Sequence, residues 1–207
     1  MVEEEKPGTD LSADYKRYLV TMTPIHGYLR ARVAAATEFG FLALAVYRLG
    51  RWSRTIRPRW LAWPVKFAYR ILDFFIQILF GISISSNCSI GPGLYIGHFG
   101  GIFLHCTLGA GCSIGQGVTI GARGAGRSDS DPILGDRVYV GAGAMVIGGV
   151  RIGDDVIIGA NTVVVTDVPD ACRVVGAAAR ILPPRATTQS PAPAASSWAS
   201  GQSRSVR

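Results

Sequence analysis

The chain has 207 residues, a formal net charge of +7, 48% hydrophobic residues and 26 glycines. That length supports one sizeable folded domain with appendages, and the apolar content excludes a largely disordered chain. The positive charge is local: nine Lys and Arg fall within residues 28–72 against the single acid Glu38, while residues 83–180 hold six Arg and seven Asp. That is unlike the broad basicity of a nucleic-acid binder, so no nucleic-acid partner is expected.

Residues 1–10 read as a disordered start. The opening Met1-Val2-Glu3-Glu4-Glu5-Lys6 is acidic where a secretory signal is basic. No uncharged apolar run reaches the roughly 18–20 residues that span a bilayer, and a cytoplasmic location is expected. Residues 11–81 read as a helical layer, with Ile71, Phe74, Phe75 and Ile78 at helical spacing. Within it, Arg51, Arg54, Arg57 and Arg59 interleave with Trp52, Trp60 and Trp63. Trp at an interface and Arg on lipid phosphates would give peripheral membrane contact through residues 48–70. The alternative is that these aromatics fill a subunit interface and the arginines stay in solvent.

Residues 82–182 carry an internal repeat, and it decides the fold class. Every sixth position from Ile84 is Ile90, Ile96, Ile102, Leu108, Ile114 and Ile120. After a break the phase resumes as Leu134, Val140, Val146, Ile152, Ile158 and Val164. Gly follows nine of these thirteen residues, and a small or apolar residue stands two places before most of them, as at Cys88, Leu94, Gly100, Cys106 and Cys112. A period of six fits neither a helix nor a continuous strand. It fits short strands with branched residues inward and Gly at tight corners, three hexads to a coil. The expected architecture is mainly β, a left-handed parallel β-helix preceded by an α-helical N-terminal segment.

Residues 121–133 interrupt the phase and are rich in Gly and charge, so they should loop out from the scaffold, where function commonly resides. Cys88, Cys106 and Cys112 fall in the small inward slot, as buried thiols. The C-x5-C spacing lacks the CxxC of a structural zinc site, and a zinc enzyme would need a third histidine beside the repeat's two, so no metal is expected. Residues 183–207 are rich in Pro, Ala, Ser and Thr and read as a disordered tail.

The histidines are His26, His98 and His105. His26 lies near Pro24 in a turn-like stretch and reads as incidental. His105 immediately precedes an inward cysteine and therefore points outward. His98 is the second residue after Ile96, at a corner facing solvent or a neighbouring subunit. An imidazole, which titrates near neutrality, suits a general base for a hydroxyl.

The stretches Ile90-Gly91-Pro92-Gly93-Leu94-Tyr95-Ile96-Gly97-His98 and Gln116-Gly117-Val118-Thr119-Ile120-Gly121 resemble hexapeptide-repeat acyltransferases. So do Val140-Gly141-Ala142-Gly143-Ala144, Ile158-Gly159-Ala160-Asn161, Asp167-Val168-Pro169 and Val175-Gly176-Ala177-Ala178-Ala179-Arg180. Over about residues 42–182 the chain is similar to serine O-acetyltransferases and their relatives encoded with bacterial polysaccharide genes. The resemblance implies acetyl-CoA as co-substrate, bound between adjacent β-helices of a homotrimer or a dimer of trimers. It makes His98 the catalytic base that frees a hydroxyl to attack the thioester. It gives Thr119, Gly121, Ala142, Ala160 and Arg180 to the acyl donor, and Ser83, Gly97 and Asp131 to the acceptor.

The chain also departs from that family. Ser83 and Gly97 stand where the serine-specific enzymes carry Asp, Ser130-Asp131-Pro132 replaces their Arg-His-Pro, and the chain ends in Arg207 rather than Ile. The acceptor is thereby left open between L-serine and a sugar hydroxyl of a surface polysaccharide. A non-catalytic scaffold or membrane-docking module is the alternative to an enzyme.

Overall fold

The computed structural model describes residues 7–26, 28–124, 131–176 and 180–183. The expected disordered ends lie outside these residues, except for residues 7–10, which belong to the first helix, and residue 183. Four helices precede the strands: α1 (Pro7–His26), α2 (Tyr28–Thr37), α3 (Phe39–Trp52) and α4 (Arg59–Phe80). The stretch holding Pro24 and His26, read above as turn-like, is the last turn of α1. α4 closes on Gly81, whose φ of 61° gives the left-handed cap that ends the helix.

The chain then winds through stacked three-sided coils. The first coil holds β1 (Ile82–Ile84), β2 (Ser89–Ile90) and β3 (Tyr95–Ile96). The second holds β4 (Ile102–Leu104), β5 (Thr107–Leu108) and β6 (Ser113–Ile114). In the third, β7 (Thr119–Gly121) is separated from β8 (Ile133–Leu134) and β9 (Tyr139–Val140) by the break in the repeat; residues 125–130 of the expected loop lie outside the described residues. The fourth holds β10 (Met145–Ile147), β11 (Arg151–Ile152) and β12 (Ile157–Ile158). The fifth holds β13 (Val163–Val164), a bridge at Val168 and β14 (Arg173–Val175), against which β15 (Arg180–Leu182) turns back antiparallel.

Strands stack β1-β4-β7-β10-β13 on the first face and β2-β5-β8-β11 on the second. The third face runs β3-β6-β9-β12-β14-β15, and all pairs but the last are parallel. Side chains alternate in and out along each strand. The inward set, including Ile90, Leu94, Ile96, Leu108, Ile120, Val140 and Ile158, is almost wholly buried. Each such side chain contributes roughly 1.5–3 kcal/mol of transfer free energy, so the repeat itself supplies the core.

The register corrects two positions. Ile102 is inward, as the hexad count has it, but that count aligns it with Ile84 and puts Gly100 in the small slot. Instead Ile102 pairs with Ile82, and Leu104 pairs with Ile84. The corner between β3 and β4 is therefore two residues longer than the others, and the next is shorter. Gly100 and Gly101 lie in that long corner with φ of 101° and 67°, a conformation that glycine alone adopts without strain. The slot calls for Cys88, Cys106 and Cys112 hold, and Cys172 is buried as well; all four thiols are free.

The helical layer finishes the open end of the first coil. Asp14 Oδ1 accepts the N–H groups of Gly93 (2.8 Å) and Leu94 (3.0 Å). The Tyr18 hydroxyl accepts from Ile96 N–H (2.9 Å) and donates to Ile96 C=O (3.1 Å). Arg48 donates to the carbonyls of Ile90 (2.7 Å) and Gly91 (2.8 Å), and Tyr47 to that of Cys88 (2.7 Å). Side chains thus take over the pairing that a further coil would have given, and an exposed strand edge is covered.

Candidate functional site

The stacking gathers the sequence-predicted residues around the first face and its two flanking corners. His98 lies exposed in the long corner between the third and first faces, in the first coil. Ala142 and Ala160 occupy the same corner in the third and fourth coils, with Asn161 N–H donating to Ala142 C=O at 2.8 Å. Their close stacking requires the glycines: a Cβ on Gly115 would come within 2.6 Å of Ala142 N, and one on Gly141 within 2.6 Å of Ala160 N. Arg180 ends this column, paired with Val175 on the strand beyond the fifth coil. At about 4.8 Å per strand, His98 and Arg180 are roughly 24 Å apart along the axis.

Ser83 and Thr119 project from the first face, in one outward row with Phe103 between them: Ser83 pairs with Phe103, and Phe103 with Thr119. Gly121 ends β7 and is buried. Gly97 follows β3, donating its N–H to Ile114 C=O at 3.0 Å; a Cβ there would meet the Tyr95 ring at 3.4 Å and Ile114 O at 3.9 Å. Asp131 is on the opposite corner from His98, at the return of the excursion. Its Oδ1 lies 3.3 Å from Nδ1 of His105. The sequence-predicted residues therefore fall in three places: Gly97, His98, Ala142, Ala160 and Arg180 on one edge, Gly121 and Asp131 on the other, and Ser83 and Thr119 on the face between.

Two features escape a reading of the sequence. The His105–Asp131 contact joins residues 26 positions apart that meet only when one coil lies on the next. The residue after the candidate base, Phe99, stacks edge-on to Phe39 (5.0 Å between centroids), and Phe39 lies against Phe80 (4.4 Å). The helical layer thereby braces the His98 corner through its neighbour.

The family "Bacterial transferase hexapeptide (six repeats)" matches residues 131–166. A serine acetyltransferase of Helicobacter pylori is 39% identical over 145 residues, covering 69% of this chain and 81% of that protein. The chain belongs to the serine acetyltransferase family. A serine acetyltransferase of Synechococcus elongatus is 37% identical over the same share of this chain, which spans only 57% of that longer protein. The crystal structure of Neisseria gonorrhoeae serine acetyltransferase superposes with a TM-score of 0.69 at 28% identity, covering 87% of this chain and 67% of that one. Membership of the serine acetyltransferase family makes the protein an acyltransferase built on the β-helix described above.

Proposed function

We propose that the protein is an acetyl-CoA-dependent O-acetyltransferase of serine acetyltransferase type, with His98 as general base. The observation that supports this best is the edge column: an exposed imidazole at its head, small residues Ala142 and Ala160 stacked below, and the Arg180 cation at its foot. An extended acyl donor laid along that edge would set its diphosphate end towards Arg180 and its thioester towards His98. His98 would take the proton of the acceptor hydroxyl as its oxygen attacks the thioester carbonyl. The C–S bond then breaks, and the imidazolium returns the proton to the departing thiolate. Thr119 and Gly121 would meet the donor arm, while Ser83, Gly97 and Asp131 would face the acceptor, L-serine or a sugar hydroxyl; Gly121 and Asp131, on the opposite edge, would do so across the groove from an adjacent β-helix.

A corner is convex, so one chain leaves the donor half in water. This favours a homotrimer, or a dimer of trimers, in which the groove between adjacent β-helices encloses it. Four free buried thiols suit a reducing cytoplasm. The test is CoA release from acetyl-CoA with serine and with nucleotide- or lipid-linked sugars. His98→Ala should lower turnover by about 10²–10⁴-fold. Absence of turnover with every acceptor, or turnover indifferent to the substitution, rejects the mechanism.

A second reading concerns location. No single helix among the described residues is long and apolar enough to cross a membrane. Yet α4 turns Trp60, Trp63, Phe67, Ile71, Phe74 and Ile78 outward in one stripe, the two Trp 75% and 69% exposed, while Ala62 and Ile76 face inward. Lys66 and Arg70 run along its flank and Arg54 and Arg57 lie just before it, all exposed. An apolar stripe with a basic margin suits an anionic bilayer surface, joined through residues 48–70. Sedimentation with anionic vesicles should fall when Arg54, Arg57, Lys66 and Arg70 become Gln; equal binding removes this reading.

A further inference from the structure

The outward surface of β4 carries two side chains, Phe103 and His105, to which the acetyl-donor reading gives no part. Phe103 is 46% exposed on a strand whose neighbours in the same row, Ser83 and Thr119, present hydroxyl groups. Two residues on, and on the same side of the strand, His105 remains a third exposed. Asp131 Oδ1 lies 3.3 Å from Nδ1 of the imidazole, a contact that steadies the ring and leaves Nε2 as the nitrogen turned to a ligand.

Gly121 keeps the space between these side chains open. A Cβ there would stand 3.4 Å from the Phe103 ring and 3.8 Å from His105 Cβ. The result is a flat apolar ring with hydrogen-bonding groups around it, the pattern of a small-molecule site with few polar groups that fix orientation. Serine, whose side chain is a single hydroxymethyl group, has no apolar face to lay on such a ring. A pyranose has one: its axial C–H bonds pack on the electron-rich face of an aromatic ring, and its rim hydroxyls both donate and accept.

We propose that Phe103, His105 and Asp131 form a subsite for a neutral sugar ring, with Ser83 at its margin. Phe103 carries the ring's C–H face, and His105, held by Asp131, accepts a hydrogen bond from a rim hydroxyl. This deepens the acetyltransferase reading and rests on it for the identity of the ligand as acceptor; because this corner is opposite His98, the base that meets a sugar held here is that of the adjacent β-helix across the groove. His105 and Phe103 are then specificity-determining residues, distinct from the base at His98.

Saturation-transfer NMR on the full chain, with methyl glucoside, galactoside and mannoside as probes, reads this subsite without turnover. At least one glycoside should show transfer to its ring C–H protons. That transfer should fall at least fivefold in Phe103→Leu, which keeps the apolar volume, and in His105→Ala. It should persist in His98→Ala and weaken in Asp131→Asn. No transfer with any glycoside, or transfer unchanged by Phe103→Leu and His105→Ala, overturns the proposal. Turnover of serine undiminished by these two substitutions and uninhibited by glycosides would overturn the subsite and leave the acetyltransferase intact. Glycoside binding with no CoA release for any acceptor would uphold the subsite and reject the enzyme reading.

Discussion

Arg48 Nε donates to Asp14 Oδ2 across 3.1 Å, with both side chains almost wholly out of solvent. Each partner also holds backbone of the first coil: Arg48 two carbonyls and Asp14 two N–H groups. Asp10 supplies a second carboxylate to Arg48 at 3.4 Å. Removing one member of such a set leaves a buried charge and unpaired backbone, which costs about 3–5 kcal/mol. Asp14→Ala should therefore lower the free energy of unfolding by that order in a urea titration. The loss should exceed that of Tyr18→Phe, which gives up neutral hydrogen bonds worth about 1–3 kcal/mol. Equal and small losses would show that the first coil holds its shape without the helical cap.

That clamp also shows what the sequence conceals. Asp10, Asp14 and Tyr18 recur every four residues along α1, and in isolation read as a solvated helix face. Only the unpaired edge of the first coil turns them inward. The β-helix, by contrast, was legible from its period alone, because inward position, branched side chain and corner glycine coincide in almost every hexad. The period fails at Ile102, since Ile102 stands six places after Ile96 and points inward, whereas the residue that stacks on Ile84 is Leu104, eight places on. The Gly100-Gly101 pair was the available sign of a longer corner. Cys172 was missed because the count stopped at Val164, before the shorter fifth coil restores the slot at Cys172 and Val174. His98 could be placed at a corner from spacing, but the neighbourhood of His105 depends on which coil lies on which.

Burial pushes the Cys112 thiol above its ordinary value of 9.0. It likewise raises the Tyr18 and Tyr95 phenols above theirs of 10.0. Below about pH 9 these groups are protonated in the folded and unfolded chain alike, and the folded state keeps its full stability. Above that pH the unfolded groups lose protons that the folded ones retain, so stability is lost as pH climbs towards the raised values. Thermal melts should shift steadily downward from pH 9 to 11. Cys112→Ala should reduce that slope, and Ala144 already fills the corresponding slot on the first face. A melting temperature that is flat across this range contradicts the assignment.

The corner glycines separate by what stands above them. In Gly141→Ala the new Cβ would lie 2.6 Å from Ala160 N, 2.8 Å from Gly159 C and 2.9 Å from Ile158 O. These are backbone atoms of the next coil, which cannot step aside without disturbing strand pairing, and overpacking of this kind costs about 1–3 kcal/mol. Gly97→Ala meets the rim of the Tyr95 ring at 3.4 Å and Ile114 O at 3.9 Å, both ordinary contacts, and should change stability by less than about 0.5 kcal/mol. The kinetic contrast follows from the same geometry. Gly141→Ala pushes apart the Ala142–Ala160 stack and should raise KM for acetyl-CoA several-fold. Gly97→Ala leaves that edge intact and should alter only terms in the acceptor. If the two variants melt together and share one KM for acetyl-CoA, the edge column is not the donor site.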